Sequence, residues 1–211
     1  MDKLCCDFRV LGPVQTNCYF VYRKDSKECL IFDPGDQAGE IIAYVKKKEL
    51  KPVGIVLTHG HFDHIMAADE VRKEFGIKVY AAKAEEELLG NSMLNVSAQI
   101  GASVSLKADE WLEDGQEISV LGETMRCILT PGHTIGGMCY YFPESELLIS
   151  GDTLFEASVG RTDLPTGNGR QLIQSIREKL FCLPDEVQVF PGHGMVTSIK
   201  EEKLYNPFAA E

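Results

Sequence analysis

The sequence predicts an α/β protein with two β-sheets packed together and helices on the outside. Two observations carry that expectation. Strand-like runs come in two batches, each followed by helical spacing, and no linker, repeat or low-complexity segment divides the 211 residues. All five histidines, moreover, fall in short turn-like segments, four of them next to a glycine and three directly after a strand. A single domain over residues 1–211 is expected, long enough to bury a substantial core.

The elements follow in chain order. "FRVLG", "CYFVYR" and "ECLIFD" are short strands separated by turn-length breaks such as "KDSK", an antiparallel start. Residues 37–48 place Ala38, Ile41, Ile42 and Val45 at helical spacing, with lysines behind them. "VGIVLTH" is a β-branched, buried strand; "IMAADEVRKEFG" is a helix stopped by Gly76, and "IKVYAA" returns as a strand. Residues 84–105 are polar and helical, and periodicity does not decide between a packed segment and a lid. "QEISVLGETMRCILT" and "MCYYFPESELLIS" form two hairpins, turning at Gly122-Glu123 and Pro143-Glu144. A helix over 169–180 carries Leu172, Ile173, Ile176 and Leu180 on one side, and "VQVFPG" closes the pattern as a strand.

Composition narrows the function. The chain is 44% hydrophobic and 25% charged, as ordinary globular proteins are. A net charge of −11 argues against a nucleic-acid partner, since phosphate binding rests on basic patches and released counterions. No apolar run reaches signal-peptide or membrane-spanning length, so no membrane partner and a cytosolic location are expected. Seven cysteines without a C-x-x-C pair fit neither a disulfide scaffold nor a thiolate zinc site, and read as buried thiols.

The candidate chemistry lies at strand ends. "THGHFDHIM" holds His59, His61, Asp63 and His64; His133, Asp152 and His193 follow the strands "CILT", "LLIS" and "VQVF". Rigid strands can deliver such residues to one edge of a layered fold. Glycines at 60, 132, 151 and 192 let the backbone turn beside each, and Pro131 and Pro191 help end the strands. Imidazole and carboxylate ligands suit zinc, iron or manganese. His59 and His61, two apart and extended, can face one way, while Asp63 and His64 point elsewhere, so one motif can serve two neighbouring cations. Five histidines and two aspartates suffice for a metal pair about 3.5–4 Å apart, with a bridging water as the nucleophile.

"HGHFDH" matches H-x-H-x-D-H, and with "PGHT", "GDTLF" and "PGHG" in order the chain resembles the metallo-β-lactamase-fold hydrolases from "NCYFVY" to "NPF". The resemblance implies an αββα sandwich of two mixed β-sheets with outer helices and a metal site at one edge. It implies two divalent metal ions per chain, zinc first, with iron or manganese as alternatives. His59, His61 and His133 would hold one ion, Asp63, His64 and His193 the other, and Asp152 would bridge. Asp33, in "IFDPGD", would orient a ligand from behind the site or be a plain turn aspartate.

Within that family the chain is most similar to the short glyoxalase II-like branch, which implies a small acyl-thioester substrate such as S-lactoylglutathione. Asp63 and Asp152 are then the catalytic carboxylates, Asp63 orienting the attacking water and receiving its proton. Where glyoxalase II enzymes carry a Lys-Phe-Tyr stretch after "GDTLF", this chain has "GRTDLPTG", and Met195 stands where they have tyrosine. Their C-terminal helical domain is not expected after "NPFAAE". Arg161 is a candidate substrate-binding cation or a loop-ordering ion-pair partner. "GRTD" also resembles the mononuclear iron persulfide dioxygenases, which keep residues matching His59, His133 and Asp152. A metal-binding scaffold is the non-enzyme alternative, and a secreted β-lactamase is disfavoured by the lack of a leader.

Overall fold

The structure is a computed structural model that describes residues 3–210. Two compact units are distinguished: one runs up to Ala81 and takes in Glu86–Trp111, and the other comprises Ala82–Glu85 and everything from Leu112 onward.

The first unit is built on β1 (Cys5–Leu11), β2 (Thr16–Tyr22), β3 (Glu28–Phe32), α1 (Ala38–Lys48), β4 (Lys51–Val56), α2 (Phe62–Ile65), α3 (Ala68–Phe75), β5 (Val79–Ala82), α4 (Glu86–Gly90) and β6 (Glu110–Leu112). Its sheet has the order β1-β2-β3-β4-β5-β6. The first three strands are antiparallel, as expected from their short breaks, while β3, β4 and β5 run parallel because helical crossovers join them. Every residue of β2 is buried, which explains the apolar run that follows its Thr16 and Asn17. Ala38, Ile41 and Val45 of α1 are buried as their spacing predicts, joined by Tyr44, and Lys46, Lys47 and Lys48 lie at the helix's negative end.

The helix expected over 65–76 is α3, which starts three residues later than expected, and a separate short helix, α2, ends at Ile65. Ala67 N–H donates to the Pro34 carbonyl at 3.0 Å, tying the chain to a neighbouring loop, and α3 begins only afterwards. It ends at Gly76 in the left-handed conformation, φ 65°, as its sequence signals.

The second unit contains β7 (Glu117–Val120), β8 (Glu123–Leu129), β9 (Met138–Phe142), β10 (Leu147–Gly151), β11 (Leu154–Phe155), β12 (Ser158–Val159), α5 (Gly169–Ser175), β13 (Gln188–Pro191), β14 (Thr197–Ser198) and α6 (Ile199–Tyr205). Its six-stranded sheet, ordered β14-β13-β10-β9-β8-β7, is also mixed, with β10 and β13 parallel and the rest antiparallel. The β7–β8 turn is Leu121-Gly122, one residue earlier than expected, with both residues at positive φ (53° and 75°), as a tight two-residue hairpin turn requires. The 169–180 helix is α5 continued by a π-helical stretch, Ile176–Leu180, and Leu172, Ile176 and Leu180 enter the core against Leu148, Val187 and Val189.

The sequence reading lacked β6, β11, β12, β14 and α6. The strands are two or three residues long, too short for alternation to register. Among the described residues no helix is long and apolar enough to cross a membrane.

Candidate metal centre

The motif "HGHFDH" follows β4 and forms a loop leading into α2. Gly60, between the two histidines, lets α4 pack closely: a Cβ there would sit 2.7 Å from a Leu88 methyl and displace it. The Phe62 N–H donates to the Asn95 carbonyl at 3.0 Å, and Asn95, fully buried, reaches Val104 at 2.9 Å. Residues 86–105 therefore brace the loop as packed chain, with Leu88 and Leu89 buried. Gly35 is the second close approach: any Cβ would collide with the Asp63 carbonyl oxygen.

Behind the loop, Asp33 sets the ring orientations. It is buried, with φ 48°, and its carboxylate accepts from the Thr58 N–H (2.8 Å), the Thr58 hydroxyl (2.6 Å) and His64 Nδ1 (2.9 Å). The Thr58 hydroxyl has given its only proton to Asp33, so it accepts from His59 Nδ1 at 3.2 Å. One carboxylate thus fixes two tautomers, His64 directly and His59 through Thr58, and directs both Nε2 lone pairs away from itself. His59 Nε2 faces His61 Nδ1 at 3.1 Å. His64 Nε2 lies 3.5 Å from Asp63 Oδ2, which accepts from the Thr16 hydroxyl at 2.9 Å.

The second unit gathers the other three residues. Asp152 follows β10 immediately, and its Oδ2 lies 3.5 Å from His133 Nε2 and 3.5 Å from His193 Nε2. His133 Nδ1 donates to the Arg161 carbonyl at 2.7 Å, which again leaves the Nε2 lone pair facing the carboxylate. Gly132 has φ 141° and packs against the Leu172 backbone of α5, so the turn before His133 admits only glycine. At Gly160 a Cβ would strike the Asp152 carbonyl and approach His133 Nδ1 to 3.2 Å. Buried Glu85 accepts from the Gly136 N–H at 2.7 Å and anchors the loop after His133, while the Phe155 ring stands edge-on to His193.

These donor sets suit a divalent cation. Two ligands at 2.0–2.1 Å in a tetrahedral shell stand about 3.3 Å apart. The 3.1 Å His59–His61 separation, and the 3.5 Å separations around Asp63 and Asp152, lie near that value within their own units. Thiolates do not compete: burial pushes the Cys18 thiol up, and the Cys139 thiol up to about 11.

Asp33 contacts Thr58 and His64 directly, and reaches His59 through Thr58. Arg161 touches His133 through its backbone carbonyl, and its guanidinium forks onto Asp163 with two bonds of 2.7 Å, its side chain 62% exposed. That hydrogen-bonded pairing holds the Asp163 carboxyl down at about 2. Thr58, Thr16, Gly35, Gly160 and Glu85 were not singled out in the sequence. Thr58 reads there as an ordinary β-branched strand residue, and nothing local marks the others.

Residues 11–193 match the family described as the metallo-beta-lactamase superfamily. A protein of Bacillus subtilis described as probable metallo-hydrolase YqgX is 44% identical over 200 residues, 94% of each chain. The hydroxyacylglutathione hydrolase GloC of Haemophilus influenzae is 33% identical over 92% of each. The crystal structure of BLEG-1 B3 metallo-beta-lactamase is 40% identical, covers 98% of this chain and 100% of its own, and superposes with a TM-score of 0.93.

Proposed function

This chain belongs to the metallo-beta-lactamase superfamily, as a metallo-hydrolase with that family's α/β fold, and from that premise we propose a thioester hydrolase of the glyoxalase II kind. The observation that carries the metal chemistry is the presetting of three imidazoles, His59, His64 and His133, whose Nδ1 atoms are held so that Nε2 is left to bind. Likeness to GloC and the motif order support the thioester as substrate.

In this reading His59, His61, Asp63, His64, His133, Asp152 and His193 are the residues that would hold the divalent ions, with zinc as first choice. When bound, the ions supply Lewis acidity and a water acidified to near neutrality. The chain's own residues do the rest. Asp63 Oδ2, fixed by the Thr16 hydroxyl, orients the attacking water and receives its proton. Asp33 and the Arg161 carbonyl keep the imidazoles from rotating or exchanging tautomers during turnover. Water adds to the thioester carbonyl and the C–S bond breaks. The thiolate leaves without a strong acid and takes the proton that Asp63 received, giving a thiol, while the new carboxyl group loses its proton to solvent as a carboxylate. The substrate-binding role of Arg161 would require its guanidinium to leave Asp163.

"GRTD" supports a second reading, a mononuclear iron persulfide dioxygenase using His59, His133 and Asp152. Metal analysis of freshly purified protein, with three assays on one sample, separates the readings. About two ions per chain and hydrolysis of S-lactoylglutathione support the proposal. One iron with oxygen uptake on glutathione persulfide replaces it, and turnover of a β-lactam alone refutes both.

A further inference from the structure

Beside Asp63 the first unit opens a groove of about 70 Å³, bounded by the β1–β2 turn, α2 and Ile100. Its lining is almost wholly apolar. Val14 at the turn is 45% exposed, Met66 after α2 is 39% exposed and Ile100 is 53% exposed, and Phe62 also lines the groove. Scattered exposed aliphatics are ordinary, but these share one depression that ends on a reactive carboxylate. Among the described residues no lysine or arginine lines it; its charged residues are the carboxylates of Asp36 and Asp63. In the second unit, the residues two positions after His133 and after His193 are Ile135 and Met195, 53% and 68% exposed and also uncharged.

We propose that the substrate carries a small, uncharged apolar substituent beside the scissile bond, received by the groove of Val14, Phe62, Met66 and Ile100. An anionic group there would meet an almost wholly apolar wall, with Asp36 and Asp63 beside it and no lining cation, and would give up its hydration without a partner. The size follows from volume. A cavity of roughly 150 Å³ holds a benzene ring, so 70 Å³ suits an aliphatic group of about three or four carbons. Each methylene buried adds about fourfold to kcat/KM, from about 0.8 kcal/mol per CH₂. Specificity for the acyl substituent then comes from fit in this groove.

This inference rests on the thioester reading, so its test has an arm that needs no turnover. In the metal-loaded protein, the ¹³C-methyl resonance of Met66, assigned with Met66→Leu, is titrated with butyramide and with acetamide. In parallel, kcat/KM is measured for acetyl, propanoyl, butanoyl and hexanoyl thioesters of N-acetylcysteamine. The expected results are a Met66 shift with butyramide and little with acetamide, and about a fifteenfold rise in kcat/KM from acetyl to butanoyl that stops by hexanoyl. Val14→Asp, at an exposed turn, flattens that rise to under twofold and suppresses the shift, and Ile100→Asp does the same. A Met66 response without hydrolysis of any thioester keeps the groove and overturns the reaction. Hydrolysis with no chain-length preference and no Met66 response overturns the groove and leaves the reaction standing.

Discussion

Asp33→Asn should cost the protein its metal and little of its fold. The native carboxylate only accepts, from the Thr58 N–H at 2.8 Å, the Thr58 hydroxyl at 2.6 Å and His64 Nδ1 at 2.9 Å. Asparagine is isosteric and can still accept from the Thr58 N–H through its oxygen. Its amide nitrogen then occupies the place of Oδ2 and donates toward both Thr58 Oγ1 and His64 Nδ1. His64 must accept, moving its proton to Nε2. The Thr58 hydroxyl, now accepting from the substituted amide, turns its proton to His59 Nδ1 and drives that ring to the same tautomer. Both nitrogens needed for a cation become N–H donors, or else a buried polar contact is left unmade at about 1–3 kcal/mol. Losing an outer partner of one ligand typically costs 10–100-fold in affinity, and here two ligands are affected. Zinc affinity, measured by chelator competition near neutral pH, should fall about 100-fold. The metal-free variant should melt within about 4 °C of the metal-free parent, because the swapped tautomers still satisfy every group at a cost of about 1 kcal/mol or less. An affinity within threefold of the parent would refute the tautomer argument. A collapse of the metal-free fold would make Asp33 structural instead.

Three further outcomes are expected. Gly160→Ala drives a Cβ onto the Asp152 carbonyl and to 3.2 Å from His133 Nδ1, so metal content and activity should both fall more than tenfold; an active, fully loaded variant would show that the loop yields freely. Folded protein treated with iodoacetamide near neutral pH should be alkylated fastest at exposed Cys182, and peptide mapping should find Cys127 and Cys139 untouched, since burial raises their thiols to about 12 and about 11. Partial burial works to raise the Asp114 carboxyl, but hydrogen bonds from Lys179 Nζ (2.7 Å) and the Leu129 N–H (2.8 Å) outweigh it and hold it below its usual range. A depressed carboxyl stabilises above its unfolded value of about 3.9, and that contribution is lost as pH falls through the lower folded value. The side chain is half exposed, so screening limits the effect to about 1 kcal/mol or less. The melting difference between parent and Asp114→Asn should therefore be largest near neutral pH, about 2–4 °C, and close as the pH drops below about 4; a gap that widens in acid would contradict it.

What the sequence made legible was chemistry carried on local pattern. His59, His133, Asp152 and His193 stand out because ligand-type residues follow apolar runs and sit beside glycine, and α1 stands out because Ala38, Ile41 and Val45 repeat at helical spacing. What stayed hidden depends on partners distant in the chain. The sequence offers Asp33 as an orienter or a turn residue but not its partner His64, 31 residues away, and Gly35 is forced by the Asp63 carbonyl, a contact that no local window contains. The break between α2 and α3 has the same origin, a bond from Ala67 to Pro34 that overrides a continuous helical pattern. One miss was avoidable. Ser198 caps α6 by accepting from the Glu201 N–H at 3.2 Å, and Ser-x-x-Glu is a visible helix start, though it directly follows a two-residue strand.

Arg161 shows where local reading stops separating two roles. A cation in a loop beside a metal motif is equally compatible with gripping an anion and with ordering the loop. The structure gives the residue two separate contacts. Its carbonyl accepts from His133 Nδ1 at 2.7 Å, which any residue can supply, and its guanidinium is engaged by Asp163. Substituting the side chain therefore leaves the His133 contact intact, whereas a change in the backbone around Gly160 does not. Arg161→Ala with near-parental kcat/KM, set beside an inactive Gly160→Ala, would assign the loop's contribution to its backbone. A tenfold or greater rise in KM for an anionic thioester in Arg161→Ala would mean that the guanidinium exchanges Asp163 for substrate. The apolar groove beside Asp63 would then serve only one side of the scissile bond.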